Sequence, residues 1–205
     1  ILEKFMNLSE KFASEINHFL RIINHEENFT EDNELPKDVK KHSKSLMRVN
    51  TSGEVAAQAL YRGQAFFAKS SELKRHLIKA GDEEHQHLVW CTKRLGELGG
   101  KKSVLDPFYY IGSFALGSIA SFFGDRKSLG FIEETEKQVV EHLERHLSEM
   151  SKSDKKSRDI LQKMLDEEAE HGAEAKSRGS ENLPTPVKSL MKITAKSMTT
   201  LSRYL

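Results

Sequence analysis

Two short motifs carry the chemistry open to this chain. Glu84 and His87 are three residues apart, and so are Glu168 and His171. On a helix that spacing places both side chains on one face, about one turn apart. Each motif follows a further glutamate at a similar distance: Glu54 lies thirty residues before Glu84, and Glu136 thirty-two before Glu168. Four carboxylates and two imidazoles from four helical stretches are what a two-metal carboxylate site inside a helical bundle requires.

A single Glu-x-x-His spacing says little. With 23 Glu and nine His in 205 residues, about one is expected by chance, and three occur. Glu15 and His18 form the third and are read as the accident. The other two gain force from their paired upstream glutamates, as an internal repeat requires. Solvated faces of charged helices are the competing reading, and they give no reason for the pairing. Electrostatics favours a metal site. Four carboxylates facing one another would repel, and desolvating each costs several kcal/mol. Two divalent cations balance that charge, and oxygen-rich ligation with one imidazole per ion suits iron or manganese better than thiolate-seeking metals.

The elements that must position these groups are helices. Leu2, Phe5, Leu8, Phe12, Ile16, Phe19 and Ile23 recur at steps of three and four and predict an amphipathic helix over 1–24 that docks on the bundle. A polar linker over 25–37 ends near Pro36. The next helix spans about 40–69 and sets Glu54 beside its apolar stripe, where an unpartnered carboxylate is out of place. Tyr61, two turns on, either hydrogen-bonds near the site or is an ordinary half-buried tyrosine. A helix over 72–97 has Glu84 and His87 within its apolar stripe and stops at Gly99-Gly100. His85 falls off that stripe and is expected to be exposed. Glu83, four before His87, either accepts from the His87 imidazole or is a solvated surface group.

From Phe108 to Gly124 there are seventeen residues without a charge. They read as a crossover helix, either buried between two helix pairs or in contact with lipid, and they lie at the lower edge of spanning length. Helices over 129–150 and 155–177 carry Glu136, then Glu168 and His171, with Asp154 as N-cap of the second. His142 and His146 sit away from the Glu136 stripe and are not assigned as ligands. A last helix over 186–205 has an apolar face (Val187, Leu190, Met191, Met198, Leu201) and a basic one (Lys188, Lys192, Lys196, Arg203). Its basic face is expected either on an anionic membrane or in solvent.

Composition sets bounds. Net charge is +1, so bulk charge gives no argument for nucleic acid, and none is expected as a partner. The one cysteine, Cys91, excludes an internal disulfide and a cysteine-based zinc site and reads as a small core residue. Nothing resembles a secretory signal.

The fold class expected is all-α: a ferritin-like four-helix bundle with a hydrophobic crossover helix and additional N- and C-terminal helices. Residues 1–36 form the N-terminal helix and linker, and 37–205 the di-iron domain. More narrowly, Leu46-Met47-Arg48-Val49-Asn50-Thr51-Ser52-Gly53-Glu54 with Ala57-Gln58-Ala59-Leu60-Tyr61-Arg62-Gly63-Gln64 resembles the demethoxyubiquinone hydroxylase family of ubiquinone biosynthesis. So do Glu84-x-x-His87-Leu88, Ser128-Leu129-Gly130-Phe131 and Asp166-Glu167-Glu168-x-Glu170-His171. The similarity covers about 40–205. Thr51 departs from it, standing where that family usually has His, but it is not at a ligand position.

The resemblance implies a membrane-associated monooxygenase with two iron ions on Glu54, Glu84, His87, Glu136, Glu168 and His171. It would hydroxylate the ring of a polyprenylated demethoxybenzoquinol, using O2 and an external reductant, since no Gly-rich dinucleotide fingerprint is present. The implied setting is peripheral, on the cytoplasmic face of a membrane, with other proteins of ubiquinone biosynthesis as partners. The alternatives are another ferritin-like di-iron activity (ferroxidase or peroxide reductase) and a non-catalytic lipid-binding scaffold.

Overall fold

Residues 8–205 are described by a computed structural model, and among them every regular element is a helix. They are α1 (Leu8–Ile23), α2 (Lys37–Phe67), α3 (Ser71–Glu97), α4 (Asp106–Phe122), α5 (Asp125–Glu149), α6 (Lys155–Ser177) and α7 (Thr185–Ser202). The expected apolar positions Leu2 and Phe5, and the side chain of Leu8, lie outside the described residues.

Local chemistry sets the boundaries. The Ser70 hydroxyl accepts from the Glu72 and Leu73 amides, both at 3.2 Å, and so caps α3. Gly99, at φ +68°, closes that helix in the left-handed region. Gly124, at φ +105°, lets the chain turn from α4 straight into α5. Asp154 caps α6 as expected, accepting from the Ser157 amide at 3.1 Å.

α2 pairs with α3, and α5 with α6; α4 carries the chain from the first pair to the second. α2 is the central element and buries side chains around most of its circumference. The core falls into layers along the bundle. Leu46, Met47, Cys91, Leu95, Leu143, Leu161 and Met164 fill one end. Tyr61, Ala65, Leu73, Leu77, Leu129, Ile132 and Ala175 fill the other. Burying each of the larger aliphatic side chains is worth about 1.5–3 kcal/mol. The two motifs and their upstream glutamates fall, by sequence position, between these layers.

α4 is half covered. Its Gly117 backs onto the α2 backbone so closely that a Cβ there would lie 2.2 Å from the Leu60 carbonyl oxygen, and Gly63 on α2 meets Phe114 in the same way. The opposite face exposes Phe108, Ile111, Ile119 and Phe122. The two readings of this segment, burial and an outward greasy surface, each describe one side of it.

Two sequence expectations are corrected. α1 docks through Phe19, Ile22 and Ile23, with the half-exposed Phe12 ring against Phe66 at 5.2 Å and Glu15 on Arg62, whereas Ile16, expected on the docking face, points outward with Leu20. In α7 part of the basic face turns toward the bundle: Lys188 pairs with Glu134 at 3.2 Å, the still exposed Lys192 with Glu141 at 3.7 Å, and Arg203, just past the helix, with Glu149, while Lys196 stays in solvent as one of the two readings had it. The row of acids on α5 attracts those cations, and Leu190, Ile193 and Leu201 are left exposed.

Candidate metal centre

The six side chains singled out by spacing meet in one cluster. α2 supplies Glu54, α3 supplies Glu84 and His87, α5 supplies Glu136, and α6 supplies Glu168 and His171. The four carboxylates and His87 are at most 4% exposed, and His171 is half-buried. Both imidazoles turn Nδ1 inward. His87 Nδ1 lies 3.3 Å from Glu84 Oε2, 3.1 Å from Glu168 Oε1 and 3.7 Å from Glu54 Oε2. His171 Nδ1 lies 3.3 Å from Glu84 Oε1 and 3.3 Å from Glu168 Oε2. Glu84 and Glu168 therefore each present one oxygen to each imidazole. Ligand atoms of Glu54, Glu84, His87 and Glu168 all fall within 4.8 Å of one another, close enough to share a cation.

The outward nitrogens are held as well. His87 Nε2 meets Glu167 Oε2 at 2.7 Å, and His171 Nε2 meets Glu83 Oε2 at 3.2 Å. Glu83 matches neither of its two readings in full: it is partly exposed and pairs with Lys79, but it also reaches an imidazole, that of the other motif and not His87. Tyr61 is fully buried, and its O–H donates to Glu136 Oε1 at 2.7 Å, the first of its two readings.

Without a cation the cluster is strained electrostatically. Burial pushes the Glu54 and Glu136 carboxyls well above the usual range, and the charges of Glu84 and Glu168 push them further. Burial opposes the charged form of His87 and His171, yet the surrounding carboxylates overcome it and raise both above their ordinary value. Glu54 Oε2, both oxygens of Glu84 and Nδ1 of His87 are buried without a hydrogen-bond partner among the described residues. Orphaned inward acceptors of hard-donor type fit a pair of divalent cations. A cleft of about 490 Å3 between α5, α6 and the start of α7 reaches Glu136 and Glu168 from outside, lined also by Lys137, Lys176 and Lys188.

Other sequence candidates lie elsewhere. Glu15 pairs with Arg62 at 2.7 Å and His18 contacts Arg21, so the third Glu-x-x-His is apart from the cluster. His142 Nε2 and His146 Nδ1 both donate to Asn50 Oδ1, at 3.1 and 2.9 Å, and burial holds both imidazoles neutral. His85, expected to be exposed, is half-buried edge-on to His25 at 5.4 Å, because the linker folds back over it. Cys91 is a buried core residue.

The profile of the family described as "Ubiquinone biosynthesis protein COQ7" matches residues 41–202, a span that contains all six side chains. The chain belongs to this family. The family suggested by the sequence motifs is thus the one found. A Francisella philomiragia subsp. philomiragia protein named 3-demethoxyubiquinol 3-hydroxylase is 45% identical over 205 residues, covering 96% of this COQ7-family chain and 97% of that protein. The Francisella tularensis subsp. novicida protein of the same name is 49% identical over 173 residues, covering 84% and 82%. Among solved structures, the dodecameric thioferritin described as a bacterioferritin-related protein from Bacteroides fragilis matches with a TM-score of 0.55 at 16% identity, over 79% of this chain and 91% of that one. The COQ7-family chain has a ferritin-like fold, as expected from the motif spacing.

Proposed function

We propose that this chain hydroxylates the ring of a polyprenylated demethoxyubiquinol, with two iron ions as cofactor, O2 as oxidant and an external reductant. The observation that carries this is the sharing of Glu84 and Glu168 between two inward imidazoles, in a chain whose COQ7-family relatives are named for that reaction. On this reading Glu54, Glu84, His87, Glu136, Glu168 and His171 would hold the two ions, with Glu84 and Glu168 placed to serve both imidazole sides of the cluster. Bound iron supplies the redox chemistry that places one atom of O2 on the ring.

The protein's own part is positioning and exclusion. The apolar layers on either side keep bulk water from the reacting atoms. Glu167 and Glu83 hold the imidazoles with Nδ1 inward. Tyr61 donates to one oxygen of Glu136, so the other would be the one free to hold a metal.

The substrate's polyprenyl tail calls for an apolar surface. The outward residues of α4, with Phe12 and Ile16 of α1, support docking on a membrane. No helix among the described residues is long and apolar enough to cross one.

The test is to supply the iron-loaded protein with a demethoxyquinol, a reductant and isotopically labelled O2, and to read the product by mass spectrometry. One labelled oxygen in the ring is expected; an unlabelled or unchanged quinol refutes the reading. Glu168→Ala is expected to lower iron content and abolish the reaction while the bundle stays folded.

A further inference from the structure

Among the uncharged polar side chains buried along α2, the four largest are Asn50, Gln58, Tyr61 and Gln64. Three reach across to α5. Asn50 accepts from His142 and His146, Tyr61 donates to Glu136, and Gln64 Nε2 donates to the Ser128 carbonyl and hydroxyl at 2.9 and 3.0 Å. Gln58 is the exception. It is 0% exposed, and neither Nε2 nor Oε1 has a hydrogen-bond partner among the described residues. A buried amide left unpaired on both sides is costly and calls for a partner.

Its place on the helix says where that partner binds. Gln58 is four residues after Glu54 and three before Tyr61, so it lies on the face that carries both toward the metal centre. That centre can accept the proton of a neutral hydroxyl, as Glu136 does from Tyr61, but among the described residues it has no donor to spare for the hydroxyl oxygen. Its carboxylates only accept, and its imidazoles face the cluster with one nitrogen and Glu83 or Glu167 with the other. An amide offers an acceptor and two donors at one point. A hydroquinone ring oxygen is the matching group, since it donates its O–H and accepts on its lone pairs.

We infer that Gln58 is a substrate-binding residue that grips a ring oxygen of the quinol, with Oε1 accepting the phenolic O–H and Nε2 donating to the ring oxygen. This rests on the hydroxylase reading above. It assigns the orientation of the ring to one uncharged side chain on α2.

The test uses Gln58→Leu and the longer Gln58→Met, each of which removes the amide but fills the space. The probe is a short-tailed demethoxybenzoquinol, titrated into protein loaded with redox-inert zinc; KM, kcat and iron content are measured on the iron-loaded form. The expected result is a rise in Kd and KM of about tenfold or more, with kcat changed less and iron content unchanged. Wild type should also discriminate against the quinol methylated on its ring oxygens, and the variants should lose that discrimination. Wild type that binds no quinol defeats the hydroxylase reading itself. Wild type that binds, with variants that bind equally well, overturns the role of Gln58 alone. Loss of iron with an unchanged Kd overturns it too, by assigning the amide to the metal. If Gln58→Leu fails to fold, Gln58→Met decides by the same readings.

Discussion

His87 Nε2 and the Glu167 carboxylate meet at 2.7 Å across the gap between α3 and α6. Each of the two Glu-x-x-His motifs is preceded by a glutamate, and each of those glutamates serves the imidazole of the other motif. Glu167 precedes Glu168 and holds His87; Glu83 precedes Glu84 and holds His171. The internal repeat seen in sequence is therefore a reciprocal pairing in space, and each half of the site orients the other.

Glu167→Ala should lower metal affinity by about 10- to 100-fold, the usual cost of removing a group that orients a metal-bound imidazole. Glu83→Ala should act the same way through His171, and less strongly, because its contact is longer at 3.2 Å and its side chain more exposed. Metal titration followed by elemental analysis checks both. Equal loss from a distant exposed glutamate such as Glu144 would show that bulk charge, and no specific contact, is responsible.

Metal uptake should release protons and weaken as pH falls. In the metal-free protein burial and like charges raise Glu54 and Glu136, and the carboxylates raise His87 and His171. All four therefore hold protons at pH values where the free side chains would have begun to lose them. A bound cation requires them deprotonated, so acid competes with metal. Calorimetry in buffers of differing ionisation enthalpy reads the proton count directly; uptake independent of pH from about 8 down to about 5 would contradict these shifts.

How much of this was legible in the chain depends on whether a contact lies along one helix or between two. Glu54, Glu84, His87, Glu136, Glu168 and His171 were readable because each falls in or beside an apolar stripe, and helical periodicity alone says that such a group turns inward. The α4 segment was readable from its lack of charge. The partners of Tyr61, Glu83 and Glu167 were not, because they depend on how neighbouring helices are rotated and staggered. α7 misled because it has two amphipathic faces: Leu190 and Leu201 predict one docking side, Lys188 and Lys192 another, and only the acids of α5 decide between them.

Gly117→Ala should destabilise the protein although alanine is the better helix former. In an open helix interior the exchange gains roughly 1 kcal/mol. At Gly117 the new Cβ would stand 2.2 Å from the Leu60 carbonyl oxygen, a backbone atom that cannot move aside alone, so α4 must lift from α2. A net loss of about 1–3 kcal/mol is expected. Gly112 sits on the same helix with nothing within 4 Å of a built Cβ, so Gly112→Ala is the control and should stabilise. Denaturant unfolding of the pair separates close packing from propensity, since propensity alone predicts the same sign for both.

Arg94 ties the linker before α2 to the bundle, and its loss should be among the most destabilising single changes. It is 2% exposed and donates to Asp32 at 2.9 Å, Asp154 at 2.8 Å, Glu97 at 2.8 Å and the Ser157 hydroxyl at 2.9 Å. Arg94→Met keeps the stem but leaves Asp154 buried without its cation and Asp32 with only the exposed Lys156 at 3.4 Å, at a cost of about 3–5 kcal/mol. The pH dependence identifies the cause. The Arg94 hydrogen bond holds the Asp32 carboxyl down at about 2, below its ordinary 3.8. A depressed carboxylate contributes stability that is present above the ordinary value and is lost as pH falls toward the depressed one. In the variant the same two acids gain from protonation, so acid relieves them. The stability gap between wild type and Arg94→Met, measured by chemical denaturation, should be widest near neutral pH and narrow as pH falls below about 4. A gap that stays constant across that range would mean that Arg94 acts through packing of its stem and not through its charge.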